Sequence, residues 1–281
     1  MNMTNGTPNS GSGKKKGLAE VIVVTSGKGG TGKTTTTASL GAALAMRGMR
    51  TLLVDADIGL RNLDVILGLE NRIVFNLVDV AKGVCKPSQA TIKSKKTNNL
   101  YLLAASQTDD KDVVSEEDIK NAIEQYKREY HYIVIDCPAG IEQGFKNAIA
   151  AADSALLVAN PEVSSIRDAD RVIGLLAAKG IDVQLILNRM DYNLVNRGDM
   201  LSISDVQEIL GIELVGVIER DDSVIVAANT GEPVVYNPKS RAGKSFTQIA
   251  ARICGENIPV ETYNSMSLFG KIGRKLGLSA A

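Results

Sequence analysis

Residues 20–37 read EVIVVTSGKGGTGKTTTT, and this stretch decides the fold of the chain. The apolar run Val21 to Val24 predicts a buried strand, and a glycine-rich turn follows it and opens a helix that continues through Met46. This is the strand–GxxxxGK[ST]–helix order of a phosphate-binding P-loop, with Gly27 and Gly32 as its framing glycines. The glycines let backbone N–H groups turn toward an anion, and the helix adds its positive dipole end. We therefore predict a nucleoside triphosphate site.

Side chains of the same loop suit the phosphates of such a ligand. Lys33 is placed to reach the β- and γ-phosphates, and Thr34 places a hydroxyl on Mg²⁺. The predicted nucleotide-binding residues of the loop are Gly29, Gly30, Thr31, Gly32, Lys33, Thr34 and Thr35. A second lysine, Lys28, is poorly placed to duplicate Lys33 in a loop that folds around one nucleotide. A solvated lysine beside an anion site is one interpretation of Lys28, and the other follows from the resemblance described below.

Two further apolar runs each end in an aspartate. Residues 50–55, RTLLVD, and residues 132–136, YIVID, predict buried parallel strands whose carboxyl ends lie where open α/β sheets bind ligands. Asp136 has the Walker B position, from which a carboxylate supports Mg²⁺ through a water. Asp55 and Asp57 are two residues apart, so in extended geometry both could face one side. A helix-capping loop stays an alternative for this pair because aspartate is common in turns.

Strand and helix patterns alternate along the rest of the chain. Strands are predicted at 100–104, 155–160, 184–188 and 214–218, and helices at 115–130, 164–179, 204–210 and 242–254. Residues 72–93 show short helical patterns, including 89–92, broken by Gly83 and Pro87. The alternation predicts an α/β fold with a doubly wound, mostly parallel sheet of about seven to eight strands and helices on both faces.

Composition excludes several classes of function. Basic and acidic residues are equal in number, 32 each, so bulk electrostatics give no attraction to nucleic acid. The three cysteines are odd in number, far apart and without a CxxC pair, which argues against an iron–sulfur or structural zinc site and favours a reducing compartment. No apolar run approaches the roughly 20 residues of a spanning helix.

The two ends of the chain differ from its middle. We predict a disordered tail at 1–17, an ATPase domain at 18–254, a linker at 255–264 and an amphipathic basic helix at 265–281. Its apolar residues are Leu268, Phe269, Ile272 and Leu276, and its adjacent cations are Lys271, Arg274 and Lys275. This pattern is typical of an interfacial membrane helix. A last helix docked on the domain's own core is the alternative.

Several segments together resemble one family. The loop GKGGTGKTT is similar to the deviant Walker A motif of the ParA/MinD family of P-loop ATPases. The segments DADIGLRNLD (55–64), DCPAG (136–140), PEVSSIRDAD (161–170) and RGDMLS (197–202), with the basic C-terminus, resemble its septum site-determining branch. The resemblance covers about residues 20–279. Partition-type (ParA-like) DNA-segregation ATPases and flagellar-placement ATPases share the P-loop and stay alternatives.

The resemblance implies roles for individual residues in ATP binding and hydrolysis. Thr34, Asp57 and Asp136 would hold Mg²⁺, Asp57 would also position the attacking water, and Asn188 would read the adenine edge. The implied catalytic residues are Lys28, Lys33 and Asp57. Lys28 would cross a dimer interface to the partner's phosphates, and Asn62 would contact the partner there. Glu219-Arg220 stands where relatives carry Pro-Glu, so a base-stacking proline is missing.

The resemblance also implies partners. They are a second copy of the chain in an ATP-dependent homodimer, an anionic membrane surface, a MinC-like division inhibitor and a MinE-like topological factor, with no specific nucleic acid. Both proteins would contact the helix near Ser164 through Asp168 and Asp170, for which solvated surface charges are the alternative. The implied location is the cytoplasm, peripheral on the inner face of the cell membrane, or a plastid stroma and inner envelope.

Overall fold

One sheet of eight strands organises the described residues, 17–110 and 112–260 of this computed structural model. The strands are β1 (Glu20–Thr25), β2 (Thr51–Asp55), β3 (Thr91–Lys93), β4 (Leu100–Leu103), β5 (Tyr132–Asp136), β6 (Ser154–Ala159), β7 (Asp182–Met190) and β8 (Glu213–Glu219). Their order across the sheet is β3-β4-β2-β5-β1-β6-β7-β8. The short β3 is antiparallel to β4, and every other neighbouring pair is parallel. The predicted fold class is confirmed.

Helices connect the strands and cover both faces of the sheet. They are α1 (Lys33–Met46), α2 (Leu63–Ile66), α3 (Leu77–Ala81), α4 (Pro87–Ala90), α5 (Glu116–Glu124), α6 (Gln143–Ile149), α7 (Val163–Ala178), α8 (Tyr192–Arg197), α9 (Ile203–Leu210), α10 (Ser223–Thr230) and α11 (Arg241–Ile253). Short 3₁₀ turns lie at Glu70–Arg72 and Val234–Tyr236. No helix in the described part of the chain is long and apolar enough to cross a membrane.

Two hydrophobic layers sandwich the sheet. Successive residues of a strand point to opposite faces, so Val21 and Val23 join one layer while Ile22 and Val24 join the other. The first layer packs on α5, α6 and α7, and the second packs on α1 and α11. Both faces are buried, which is why the central strands are continuous apolar runs. The carboxyl ends of the parallel strands meet at one edge, the carboxyl edge, and their amino ends meet at the opposite amino edge.

Three of the predicted element boundaries are wrong. Helix α5 ends at Glu124 instead of about residue 130, because residues 123–129 tighten into turns in which Tyr126 and Glu129 donate to carbonyls three residues back. Pro87 begins α4 as its first residue, and Thr91 already pairs with Leu103 in the sheet, so 89–92 is not one helix. The cap of α9 is Ser202, whose Oγ accepts the N–H of Asp205 at 3.1 Å, and not Ser204.

The predicted ends of the chain lie largely outside the described residues. The proposed tail at 1–17 is described only at residue 17, and the linker at 255–264 only to residue 260. All seven residues predicted to contact a membrane, from Leu268 to Leu276, lie outside the described part. Helix α11 ends at Ile253, one residue short of the predicted limit of the domain.

Candidate nucleotide site

The P-loop lies at the carboxyl edge, between the end of β1 and the start of α1. Gly30 and Gly32 have φ angles of 77° and 98°, which side chains rarely adopt. A Cβ on Gly32 would lie 2.5 Å from Nδ2 of Asn188, and that amide donates to the Thr31 carbonyl at 2.7 Å. Conformation and space both require glycine at residue 32. The loop therefore brings backbone without side chains next to the N-terminus of α1, which is the arrangement that the sequence motif predicts.

Lys33 is a buried cation at the start of α1. Only 7% of the residue is exposed, and its Nζ donates to Oγ of Ser26 at 3.2 Å. Ser26 in turn donates to the carbonyl of Lys28 at 2.7 Å, so the two ends of the loop are tied together. A buried ammonium whose hydrogen-bond partner is a neutral hydroxyl favours an anionic ligand, because burial of charge is costly without a counter-charge.

Asp136 and Asp55 end adjacent strands and are aligned in the β2–β5 register. Both are buried, at 2% and 1% exposure. Burial, followed by the charge of Asp55, raises the pKa of Asp136, while hydrogen bonds from Thr34 and Thr37 and the charge of Lys33 oppose the rise. Thr37 Oγ1 donates to Asp136 Oδ1 at 3.2 Å. Two carboxylates held together in this way favour a nearby cation.

Asp55 has a structural role that explains its burial. Its Oδ1 accepts the N–H of Asp57 at 3.0 Å, and its Oδ2 accepts those of Asn62 and Leu63 at 3.1 Å each. Burial still raises the pKa of Asp55, although these backbone donors lower it. Of Asp55 and Asp57, Asp55 therefore has the helix-capping role that the sequence left as an alternative. Its carboxylate fixes the segment that carries Asp57 and the start of α2.

The donors at this edge fit a magnesium ion that is bound mainly through phosphates. No group of three or more His, Cys, Asp or Glu residues in the described part of the chain could hold a metal by itself. Mg²⁺ requires only one or two carboxylates when phosphates and waters complete its octahedron. Thr34 and Asp136, which share a hydrogen bond, supply an oxygen-only set, and Asp57 follows β2 at the same edge.

A cavity of about 540 Å³ adjoins the P-loop. Its walls come from the ends of β7 and β8 and from α8, α10 and α11; they include Gly32, Thr35, Asn188, Arg189, Leu194, Met200, Ile218, Asp221, Val224, Ile225 and Phe246. Asn188 stands in this wall where a base-reading residue is expected. Besides donating to Thr31, it accepts the N–H of Arg189 at 2.9 Å, so its amide also fixes the loop. The cavity is large enough for a nucleoside.

Asp221 is a residue of this wall that sequence reasoning did not select. Its carboxylate accepts Ser223 N–H at 2.9 Å, Ser240 Oγ–H at 2.7 Å and Ala242 N–H at 3.1 Å. Burial alone would raise the pKa of Asp221, but these hydrogen bonds outweigh it and hold the pKa well below its usual range. Asp221 joins the starts of α10 and α11 at the cavity. Its position two residues after the end of β8, at the same edge of the sheet as Asp136, was the available signal.

The remaining predicted residues lie at the surface around the loop. Lys28 and Asn62 are exposed. On α7, Asp168 is half-buried and Asp170 exposed. A Cβ on Gly27 would lie 2.2 Å from the carbonyl carbon of Asp168, so the first framing glycine packs directly on the backbone of α7. The helix expected to bind protein partners is thus in contact with the phosphate loop.

The chain as a whole is similar to known nucleotide-binding proteins. Residues 22–234 match the family model of the CobQ/CobB/MinD/ParA nucleotide binding domain. The septum site-determining protein MinD of Bacillus subtilis (strain 168) is 52% identical over 247 residues, which cover 87% of this chain and 92% of that protein. The MinC:MinD cell division protein complex of Aquifex aeolicus contains a chain with 48% identity and a TM-score of 0.82, covering 87% of this chain and 99% of that one. MinD of Pyrococcus horikoshii complexed with Mg-ADP has 30% identity and a TM-score of 0.78, covering 85% and 100%.

Proposed function

The chain belongs to the CobQ/CobB/MinD/ParA nucleotide-binding family, and we propose that it is a septum site-determining ATPase that acts as a membrane-associated dimer. One observation carries the nucleotide part of this proposal. Lys33 is a buried cation whose Nζ donates to the Ser26 hydroxyl, and it lies at a glycine loop whose Gly32 excludes any side chain. An anionic phosphate chain is the ligand that this arrangement suits best.

Different residues of the chain would bind different parts of the nucleotide. The backbone of residues 29–35 would cradle the phosphates, Lys33 would neutralise their charge, and the cavity beside Asn188 would enclose the base. Thr34, Asp57 and Asp136 would hold Mg²⁺, which when bound offsets charge on the phosphates. The relative from Pyrococcus horikoshii, whose structure is complexed with Mg-ADP, supports this ligand pair.

Hydrolysis requires a positioned water and a cation for the charge that develops on the phosphates. Asp57 would orient the water, because Asp55 fixes its backbone at the carboxyl edge through a 3.0 Å hydrogen bond. Lys28 is exposed and its side chain is free to act outside its own loop. In a dimer it would reach the partner's phosphates, with Asn62 contacting the partner at the same surface. Catalysis would therefore depend on association.

The protein partners would bind at α7. The relative from Aquifex aeolicus forms a complex with MinC, which supports a MinC-like division inhibitor as one partner. Asp168 and Asp170 would contribute contacts, and a MinE-like factor that stimulates hydrolysis would share the helix. Because Gly27 packs on the Asp168 backbone, a partner on α7 lies one contact from the phosphate loop.

The C-terminal segment would link nucleotide state to the membrane. Four apolar side chains, Leu268, Phe269, Ile272 and Leu276, offer a few kcal/mol on partial burial, and each of three cations adds about 1 kcal/mol near an anionic surface. One copy would bind weakly, whereas two copies on a dimer gain about 10²–10⁴ in avidity. The protein would therefore reside on the inner face of the cell membrane, or of a plastid inner envelope, only in its ATP form.

Sedimentation with anionic phospholipid vesicles tests this function. We expect recruitment with ATP and Mg²⁺, little recruitment with ADP, and loss of recruitment when residues 265–281 are removed. Phe269→Glu should detach the protein from lipid without changing its affinity for ATP, and Phe269→Leu is the matched control that should stay bound. Absence of recruitment with either nucleotide would contradict the membrane function and favour docking of the segment on the domain's own core.

A further inference from the structure

Arg220 lies in the wall of the cavity beside the P-loop, directly after β8. Its backbone is fixed on both sides. The Arg220 N–H donates to the Met190 carbonyl at 2.9 Å, and the carboxylate of the next residue, Asp221, joins α10 and α11 through its hydrogen bonds. The exposed side chain of Arg220 therefore extends from a rigid support.

The guanidinium of Arg220 is not used by the domain itself. The carboxylate nearest in sequence, Glu219, pairs with Arg241 at 2.8 Å. Among the described residues, the Arg220 side chain has no hydrogen-bond or ion-pair partner. Arg220 is therefore a cation at the cavity that is available to a ligand.

Other polar groups of the same wall are engaged within the protein. The Asn188 amide donates to the Thr31 carbonyl and accepts the Arg189 N–H. Asp191 Oδ1 accepts the N–H of Asn193 at 2.9 Å, at the start of α8. Groups committed in this way have less capacity left to form hydrogen bonds with the edge of a base. Contact with the faces of the base therefore gains importance in this cavity.

The charges of the wall indicate which part of a nucleotide it suits. It includes five carboxylates and two guanidiniums, those of Glu162, Asp191, Glu219, Asp221 and Asp222 and of Arg189 and Arg220. Apolar side chains also line it, namely Leu194, Met200, Ile218, Val224 and Ile225. A neutral, flat ring fits this wall better than a second phosphate would, because the excess of carboxylates repels anions. A guanidinium plane can stack on the face of such a ring.

We propose that Arg220 stacks on the purine base of the bound nucleotide and is a binding residue of this site. The proposal rests on the nucleotide-binding part of the proposed function and adds a contact to it. The base is remote from the phosphate that reacts, so this contact is the same before and during hydrolysis. It should therefore lower KM for ATP and leave kcat unchanged.

Titration of the full chain with ATP and Mg²⁺ tests the contact. A cation–π contact at an accessible site contributes a factor of about five, so Arg220→Ala should weaken ATP binding about fivefold and raise KM by the same factor. Tripolyphosphate, which has no base, is measured by competition against radiolabelled ATP, and its affinity should not change. An equal loss for tripolyphosphate would show that Arg220 contacts a phosphate, and the stacking would be refuted.

Two further variants separate the flat group from the charge. Arg220→Trp keeps a flat face without the charge and should bind ATP at least as tightly as the unmodified chain. Arg220→Lys keeps the charge without the plane and should lose most of what Arg220→Ala loses. The reverse order of affinities would show that charge alone carries the contact, and it would overturn the proposal.

A matched control removes an arginine elsewhere. Arg128 is exposed at the amino edge, four residues before β5, and Arg128→Ala should bind ATP as the unmodified chain does. If Arg220→Ala also binds ATP as tightly as the unmodified chain, the Arg220 contact is contradicted while the nucleotide function stands. If the unmodified chain binds neither ATP nor tripolyphosphate, the nucleotide function fails and this contact fails with it.

Discussion

The two edges of the sheet use polar groups in opposite ways. At the carboxyl edge, Lys33, Asp55 and Asp136 are almost completely buried, and the loop between them contains glycines at positive φ. At the amino edge, Arg50 and Glu129 form an ion pair in which both side chains are largely exposed. Burial of charge without full compensation costs free energy, so it persists where a ligand uses it. Exposed, compensated charge costs little free energy to keep, so by itself it does not indicate a ligand.

The difference in burial of charge between the two edges predicts different effects of substitution, and experiments can contradict that prediction. Substitutions at the carboxyl edge should change nucleotide chemistry by large factors and stability by little, whereas substitutions at the amino edge of the domain should change stability only. Asp221 lies between these cases, because it belongs to the cavity but joins two helices through its hydrogen bonds.

The largest effect is expected from Lys33→Ala. Removing this ammonium leaves the phosphates without their buried counter-charge, and charge-assisted contacts are the strong ones in such sites. We expect ATP affinity to fall at least about thousandfold, beyond detection in a calorimetric titration with Mg²⁺. The urea midpoint should not fall, since the variant removes a buried charge. Lys146→Ala, at an exposed lysine of α6, is the control, and ATP binding near the unmodified level in Lys33→Ala would contradict the assigned role.

Lys28→Ala should separate binding from hydrolysis. A cation supplied across an interface is worth about 10³ or more in turnover, so phosphate release should fall by that order while ATP affinity changes by less than about threefold. Turnover should be measured over a range of protein concentrations, with anionic vesicles present. Mixing the variant with a chain that binds ATP but lacks Asp57 (Asp57→Ala) tests the action in trans, and normal turnover by Lys28→Ala alone would refute it.

Much of the fold and of the carboxyl edge could be predicted from the sequence, because the motifs that determine them are local. The strand–loop–helix order around Gly32 and the aspartate at the end of 132–136 need only neighbouring residues, and both lie where expected. Helices α6, α8 and α10 were not predicted. Each has eight residues or fewer, too short for a clear helical period.

Contacts between distant residues were beyond sequence reasoning. Asn188 lines the cavity that is predicted to hold the base, and its Nδ2 also donates to a carbonyl 157 residues earlier in the chain, a contact that the sequence does not indicate. The packing of Gly27 on Asp168 likewise depends on where α7 crosses the sheet. Patterns of residue type predict which edge a side chain occupies. They do not predict which of several polar neighbours that side chain forms a hydrogen bond with.

Asp221→Ala should lower the free energy of unfolding, although Asp221 lies at the cavity of the carboxyl edge. It leaves the N–H groups of Ser223 and Ala242 and the hydroxyl of Ser240 without their acceptor, for a loss of about 2 kcal/mol in urea unfolding. The pKa of Asp221 is lowered in the folded state, so its stabilisation is complete above an unfolded pKa near 4 and is lost as pH falls toward the folded value. The difference between the two proteins should therefore be constant near neutral pH and shrink in acid. Asp222→Ala is the neighbouring control, and an equal loss there would contradict the specific role of Asp221.

The smallest effect is expected at the amino edge, from Arg50→Ala. The guanidinium lies 5.1 Å from the ring centres of both Tyr101 and Tyr130, while the backbone N–H of Arg50, which donates to His131 Nδ1 at 2.8 Å, survives the substitution. Exposed cation–π contacts contribute about 0.5–1 kcal/mol each, and the exposed pair with Glu129 adds little, so the loss should be about 1 kcal/mol. Arg50→Lys, which keeps the charge but not the planar group, should lie between. ATP affinity and turnover should match those of the unmodified chain in both variants. A change in either would show that the amino edge is coupled to the nucleotide site through β2, and the division between the two edges would fail.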